Sequence, residues 1–145
     1  MKKILIQANN LEMVIDVFMF IYHHQGCSKQ DIAEYCGFSM RQVDYYTNAC
    51  KYLDLIDSNW APTELAKYIF ENNPAEVTER VYKRIIEDDL IGQIYSKMMD
   101  SNVEDITAFA KQLVMDYYPG YSEAVYNRRS DNLVKWCKII MSYNS

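Results

Sequence analysis

Apolar side chains recur every three or four residues along most of this chain, the spacing of helices that bury one face. Asn10 is placed to cap a long first helix, and Leu11, Val14, Ile15, Phe18, Ile21 and Tyr22 then fall on one side of it. Ser28 opens a second, shorter helix, with Asp31 at its third position and Cys27 and Ile32 spaced as a hydrophobic staple. Gly37 ends it, supplying the backbone freedom a tight turn needs. Ser39 with Gln42 makes a capping box and Phe38 with Val43 a staple, so a third helix begins eleven residues after the second. Ile32, Cys36, Val43, Tyr46, Cys50 and Leu53 form one buried seam, and Ala33 is small where the two helices must cross closely.

Further along, "YLDLIDSNWAPTELAKYIF" predicts a helix end, a Leu-Ile strand, a tight turn at "DSN", a return strand at Trp60 and a helix capped by Thr63. Residues 63 to 100 read as three helices, one of them opened by Pro74 behind Asn73. The acidic cluster "EDD" at 87 to 89 reads as a solvated helix start favoured by the macrodipole. Asn102 is placed to cap "VEDITAFAKQLVMDYY", and after the turn "PGY" Ser122 opens a last helix. The expected architecture is mainly α, with a minimal two-stranded wing in a first domain over residues 1–72 and a helical second domain over 73–145.

The placement of Ala33, Gly37 and Val43 resembles the helix-turn-helix family of DNA-binding motifs, and the segment after it resembles the usual exit of a winged helix. That resemblance makes the helix opened by Ser39 the reading helix. Arg41, Gln42, Tyr45, Asn48 and Tyr52 fall on or beside the face turned away from Val43, Cys50 and Leu53. We assign base contact to Arg41, Gln42, Tyr45 and Asn48: Arg grips guanine with two donors, Gln and Asn pair with adenine, and Tyr meets a thymine methyl or a phosphate. The alternative is a protein-binding or dimerisation face, in which tyrosines supply area and Arg41 an anchor. Asp44 favours that alternative, because an acid near phosphates costs affinity.

Setting Ser39 against Ser122 places Tyr45, Tyr46 and Thr47 over Arg128, Arg129 and Ser130, and Cys50, Leu53 and Ile56 over Leu133, Trp136 and Ile139. This internal echo predicts a second helix-turn-helix over 102–143. The phrase "SEAVYNRRSDNLVKWCKII" also resembles a segment of the helical, winged-helix-like regions of restriction enzymes and restriction-associated proteins. There a helix start is followed by a double arginine and then a tryptophan, matched here by Arg128, Arg129 and Trp136. The match departs at Val125 and Tyr126 and again from Cys137 to Ile140. It implies a DNA-recognition region. Separately, the internal echo and the net basic charge of this segment assign phosphate contact to Arg128, Arg129 and Lys135, the alternative being a charged helix face with Trp136 in the core.

The 145 residues carry a formal net charge of -5, unevenly spread. Residues 57–121 hold 12 acidic against 6 basic side chains, whereas residues 122–145 hold 4 basic against 2 acidic. Surface fields decay over about 8 Å at physiological salt, so an acidic belt on one face leaves binding at another open. Cys27, Cys36, Cys50 and Cys137 have no C-x-x-C spacing and read as buried free thiols, and His23 and His24 diverge too far to share a metal. No lysine follows an acid by two positions, as restriction nucleases commonly require for magnesium, and no phosphate loop or hydrolase motif is present. No enzyme activity, metal or cofactor is expected. The longest apolar run is too short to span a bilayer and no signal peptide is read, so the expectation is a cytoplasmic protein. The function expected is a DNA-binding accessory, specificity or regulatory protein, of restriction-modification or transcriptional type. Its partners would be double-stranded DNA and either a second copy or a nuclease chain.

Overall fold

Helices start in this chain where a short polar side chain offers an oxygen to amides that have no carbonyl of their own. Asn10 accepts from the Met13 amide, Ser28 from Asp31, Ser39 from Gln42, Asp88 from Ile91, Asp105 from Ala108 and Ser122 from Val125. The Thr63 hydroxyl likewise accepts from the Ala66 amide at 3.2 Å. The computed structural model describes residues 3–72, 74–100 and 105–145, the side chain of residue 72 excepted. The helices are α1 (Leu11–His23), α2 (Lys29–Cys36), α3 (Met40–Tyr52), α4 (Glu64–Asn72), α5 (Val77–Ile86), α6 (Asp89–Met99), α7 (Ile106–Tyr117) and α8 (Glu123–Asn144), with a 3-10 turn at Pro74–Glu76. Among the described residues the chain is mainly helical. The expected caps at Asn73 and Asn102 lie outside those residues.

Two compact units divide the chain, Met1–Val81 and Tyr82–Ser145. In the first, α1, α2 and α3 pack on one another. Val14, Phe18, Ile21, Ile32, Val43 and Cys50 are fully buried at their centre. Gly37 takes the left-handed conformation (φ 71°) at the end of α2, which lets the Phe38 amide reach the Ala33 carbonyl at 2.9 Å.

The stretch before α1 also belongs to this core. Leu5, Ile6 and Ala8 are buried in an irregular segment that periodicity does not reveal, because it forms no helix. Tyr46 on α3 holds it: its hydroxyl donates to Asn9 Oδ1 at 3.1 Å and accepts from the Asn10 amide at 3.2 Å. The ring stacks on Phe38 with centroids 4.8 Å apart. One side chain thus joins the entry of α1, the turn before α3 and α3 itself.

The two-stranded wing does not form. Between α3 and α4 there is a single antiparallel bridge, Ile56 to Pro62, and no strand among the described residues. The reason is local. Asp57 Oδ1 captures the amides of Asn59 and Ala61, each at 2.9 Å, which a ladder would need, and Trp60 sits at φ 64°, outside extended geometry. Thr63 then closes the loop, its hydroxyl donating to the Asp54 carbonyl at 2.6 Å as it caps α4.

In the second unit α6, α7 and α8 pack on one another around Leu90, Ile91, Ile94, Ala110, Val114, Leu133, Trp136 and Ile140. The turn before α8 is tied by Tyr126, whose hydroxyl donates to the Tyr118 carbonyl at 2.5 Å and accepts from the Tyr121 amide at 3.1 Å. Two expectations are corrected. Asp88 is buried and caps α6, so the acidic cluster is not simply a solvated helix start. Ile139, expected in the α8 seam, is 37% exposed, because the buried stripe has moved on to Ile140 by that turn.

Two substitutions test this packing. Tyr46→Phe keeps the ring but strands the Asn9 and Asn10 groups, and we expect a loss of about 1–2 kcal/mol in urea unfolding. At Gly92 an added Cβ would stand 2.5 Å from the Ile86 carbonyl oxygen. Gly92→Ala should therefore cost on the order of 2 kcal/mol in the same measurement, where helix propensity alone would favour alanine.

Candidate nucleic-acid interface

The outward face of α3 is set by what the inward face buries. With Val43, Tyr46, Thr47, Ala49 and Cys50 turned into the core, Arg41 and Gln42 are exposed and Tyr45 and Asn48 are half-exposed. Arg41 Nε donates to the Tyr45 hydroxyl at 2.5 Å, one turn along the helix, with the guanidinium carbon 5.6 Å from the ring centroid. The terminal guanidinium nitrogens remain available to a planar acceptor pair. Gln42 is less free: its Oε1 accepts from the Ser39 amide at 3.0 Å to complete the capping box, leaving only its amide protons to offer. Asn48 stands at the edge of a hollow, beside Lys51 and Tyr52.

Tyr52 does not belong to this face. It is 5% exposed, and Lys3 Nζ lies 4.6 Å from its ring centroid. The placement by helical offset failed because the segment before α1, invisible to periodicity, covers this part of α3.

Asp44, the acid that argued against phosphate nearby, is paired with Lys29 of α2 at 2.7 Å. Both side chains are partly exposed, so the pair adds little to stability, about 0–1 kcal/mol. Its effect is electrostatic: the one acid on the first half of α3 is neutralised by a cation that sequence order does not point to. The start of α3 is left with Arg41 as its unbalanced charge.

On α8, Arg128 and Lys135 are exposed and Arg129 is half-buried. Seven residues separate Arg128 from Lys135, two turns and about 10 Å along the same side. Asp131 is exposed between them, one turn from each. In the register that sets Ser39 on Ser122, Thr47 and Ser130 are both buried. Each hydroxyl donates to the carbonyl four residues back, at 2.9 and 2.7 Å. Cys50 and Leu133 are buried in the same register, as are Leu53 and Trp136. Tyr52 and Lys135 part company, one covered and the other in solvent.

The four cysteines are free thiols, but only Cys50 and Cys137 are buried as expected; Cys27, just before the short α2, and Cys36, at its end, are half-buried. Burial pushes Cys50 and Cys137 from 9.0 up to about 12. Cys27 is raised by burial and then by Asp31, and Cys36 by burial and then by Asp16. None is an activated thiolate. His24 Nδ1 lies 3.0 Å from the Phe20 carbonyl oxygen, and its ring stacks on Phe20. Among the described residues no group of three or more His, Cys, Asp or Glu side chains is arranged to hold a metal ion. Nor is any helix among them long and apolar enough to cross a membrane.

Among the described residues these features make a mainly helical chain in which α1, α2 and α3 pack as one set and α6, α7 and α8 as another. A family model described as a domain of unknown function (DUF7226) matches residues 13–145, and the chain belongs to that family. No curated protein and no solved structure matches it.

Thiol chemistry gives a direct check on burial. With Ellman's reagent at pH 8, Cys27 and Cys36 should react first, and Cys50 and Cys137 only on unfolding, as mapped by peptide mass spectrometry. Because both buried thiols ionise more readily unfolded, at 9.0, than folded, at about 12, their stabilising contribution is complete below pH 9 and is lost on going towards pH 12. Unfolding free energy should fall across that window, less steeply in Cys50→Ala.

Proposed function

We propose that this chain binds double-stranded DNA as an accessory, specificity or regulatory protein. In this reading α2 and α3 act as a helix-turn-helix of the winged type with the wing reduced to a loop. Arg41, Tyr45, Gln42 and Asn48 face base edges, while Arg128, Arg129 and Lys135 meet phosphates. The observation that carries the reading is the open face at the start of α3. There an exposed Arg41 is braced by Tyr45, and the neighbouring Asp44 is neutralised by Lys29. The resemblance of the α8 segment to restriction-associated DNA-recognition regions supports the same class of partner, as does its locally basic composition.

A second reading, a protein-interaction or dimerisation module, is favoured by one feature. Tyr35 and Met40, at the end of α2 and the start of α3, are 63% and 42% exposed, and Tyr35 packs on Phe20 with centroids 4.5 Å apart. Apolar area of that kind suits a protein partner better than a phosphate backbone.

Fluorescence anisotropy with labelled duplexes across salt concentration separates the two. For DNA binding, Arg128→Ala with Arg129→Ala weakens affinity for every duplex and reduces the slope of log affinity against log salt by about 2. Arg41→Ala instead compresses the difference between preferred and random duplexes, by about 1–3 kcal/mol. No binding to any duplex at low salt, together with self-association in sedimentation that Tyr35→Ala abolishes, would transfer the function to the interaction reading.

A further inference from the structure

At the end of α1, beside α2, lies an open recess of about 700 Å³, within the range of binding sites, about 300–1,000 Å³. Phe20, His24 and Tyr35 line it, and Phe20 meets both other rings, with centroids 4.3 Å from His24 and 4.5 Å from Tyr35. Phe20 is half-buried, yet Tyr35 is 63% exposed. A large ring held in place and left in water offers its π face to a partner. Two acids, Asp31 and Glu34, share the lining, and no Lys or Arg does. Asp31 lies one helical turn before Tyr35, on the same side of α2. Both carboxylates take their hydrogen bonds from neutral donors, Asp31 from the Ser28 amide at 2.8 Å and Glu34 from the Gln30 side-chain amide at 3.1 Å. The Ser28 amide, then the Ser28 side chain, hold the Asp31 carboxyl below the usual carboxylate range, and nearby His24 also favours the charged form. Neither acid forms an ion pair among the described residues. Two negative charges therefore border an exposed aromatic face.

From this arrangement we infer that the recess docks an arginine side chain presented by a basic segment of another protein. The guanidinium lies flat on Tyr35, where planar stacking and the ring quadrupole both favour it. Its N–H groups donate to Glu34 and Asp31. Charge complementarity selects this occupant. A duplex phosphate would meet two carboxylates, and an apolar peptide would cover Tyr35 but strip water from both acids without replacing it. Arginine is the side chain that uses ring and carboxylates together. The inference rests on the interaction reading, whose Tyr35 surface it shares, and names the chemistry of the partner.

The test is fluorescence anisotropy of the full chain with a labelled hexapeptide holding two arginines between glycine and serine, and with a twin carrying citrulline in their place. Citrulline keeps the shape and loses the charge. The arginine peptide is expected to saturate below about 1 mM, and the citrulline peptide to bind about tenfold more weakly. Tyr35→Ala should weaken the arginine peptide about tenfold and Glu34→Gln about threefold. Tyr35→Phe, which keeps the ring, and Arg41→Ala, on the face assigned to DNA, should leave it unchanged. All three positions are exposed, so these variants fold. The inference is overturned if the citrulline peptide binds as tightly, if Tyr35→Ala and Glu34→Gln both bind like the parent chain, or if the arginine peptide does not saturate at about 5 mM. In that last case, self-association that Tyr35→Ala abolishes would leave the interaction reading standing with a second copy as occupant, while the arginine site falls.

Discussion

The first unit depends on where one tyrosine hydroxyl goes. Tyr46 sits on the buried side of α3, yet its oxygen must be satisfied, and the groups that satisfy it are Asn9 Oδ1 and the Asn10 amide. Asn10 at the same time caps α1. The bond therefore positions the chain entering α1, brings Leu5, Ile6 and Ala8 into the core and sets the rotation of α3. That rotation decides which α3 side chains reach water. A comparable device operates in the second unit, where the Tyr126 hydroxyl ties the turn between α7 and α8.

Charge on this chain is a matter of position more than of total. A formal net charge of -5 suggests a surface hostile to polyanions. The acids are concentrated between residues 57 and 121, however, and the acid of the first half of α3 is matched by Lys29 at 2.7 Å. At physiological salt a field dies away over about 8 Å, so the pairing of Asp44 matters more at Arg41 than acids a Debye length or more away. Tyr45 braces the guanidinium and so restricts the rotamers open to Arg41.

The loop after α3 takes a different form from the one its residue pattern suggests. Asp57 folds it back on itself by taking two amides, which removes the donors of a second strand and leaves Ile56 as a wall of the hollow. The segment before α1 supplies another lining residue, Ile4. Side chains from before α1 and from after α3 thus line the same hollow. The ring of Tyr52, which helical offset assigns to the outer face, becomes part of this apolar lining.

Local chemistry was legible without coordinates. The caps at Asn10, Ser28, Ser39, Thr63 and Ser122, the left-handed Gly37 and the seam through Ile32, Val43, Tyr46, Cys50 and Leu53 all act within a few residues, whereas Cys36, expected in the same seam, is only half-buried. A side chain can satisfy a helix's first amides only from adjacent positions, so sequence spacing alone determines them. The exposure of Arg41 follows from the same periodicity. What tertiary structure decided involves partners far apart in the chain, or competition between local options. Lys29 found Asp44 across the α2–α3 turn, and Lys3 found Tyr52 across 48 intervening positions. Leu5 and Ile6 were buried without any helical period, and Asp57 took the amides that a wing would have used. Packing and ion pairing join whatever residues the fold brings within a few ångströms, and sequence spacing carries no record of those distances.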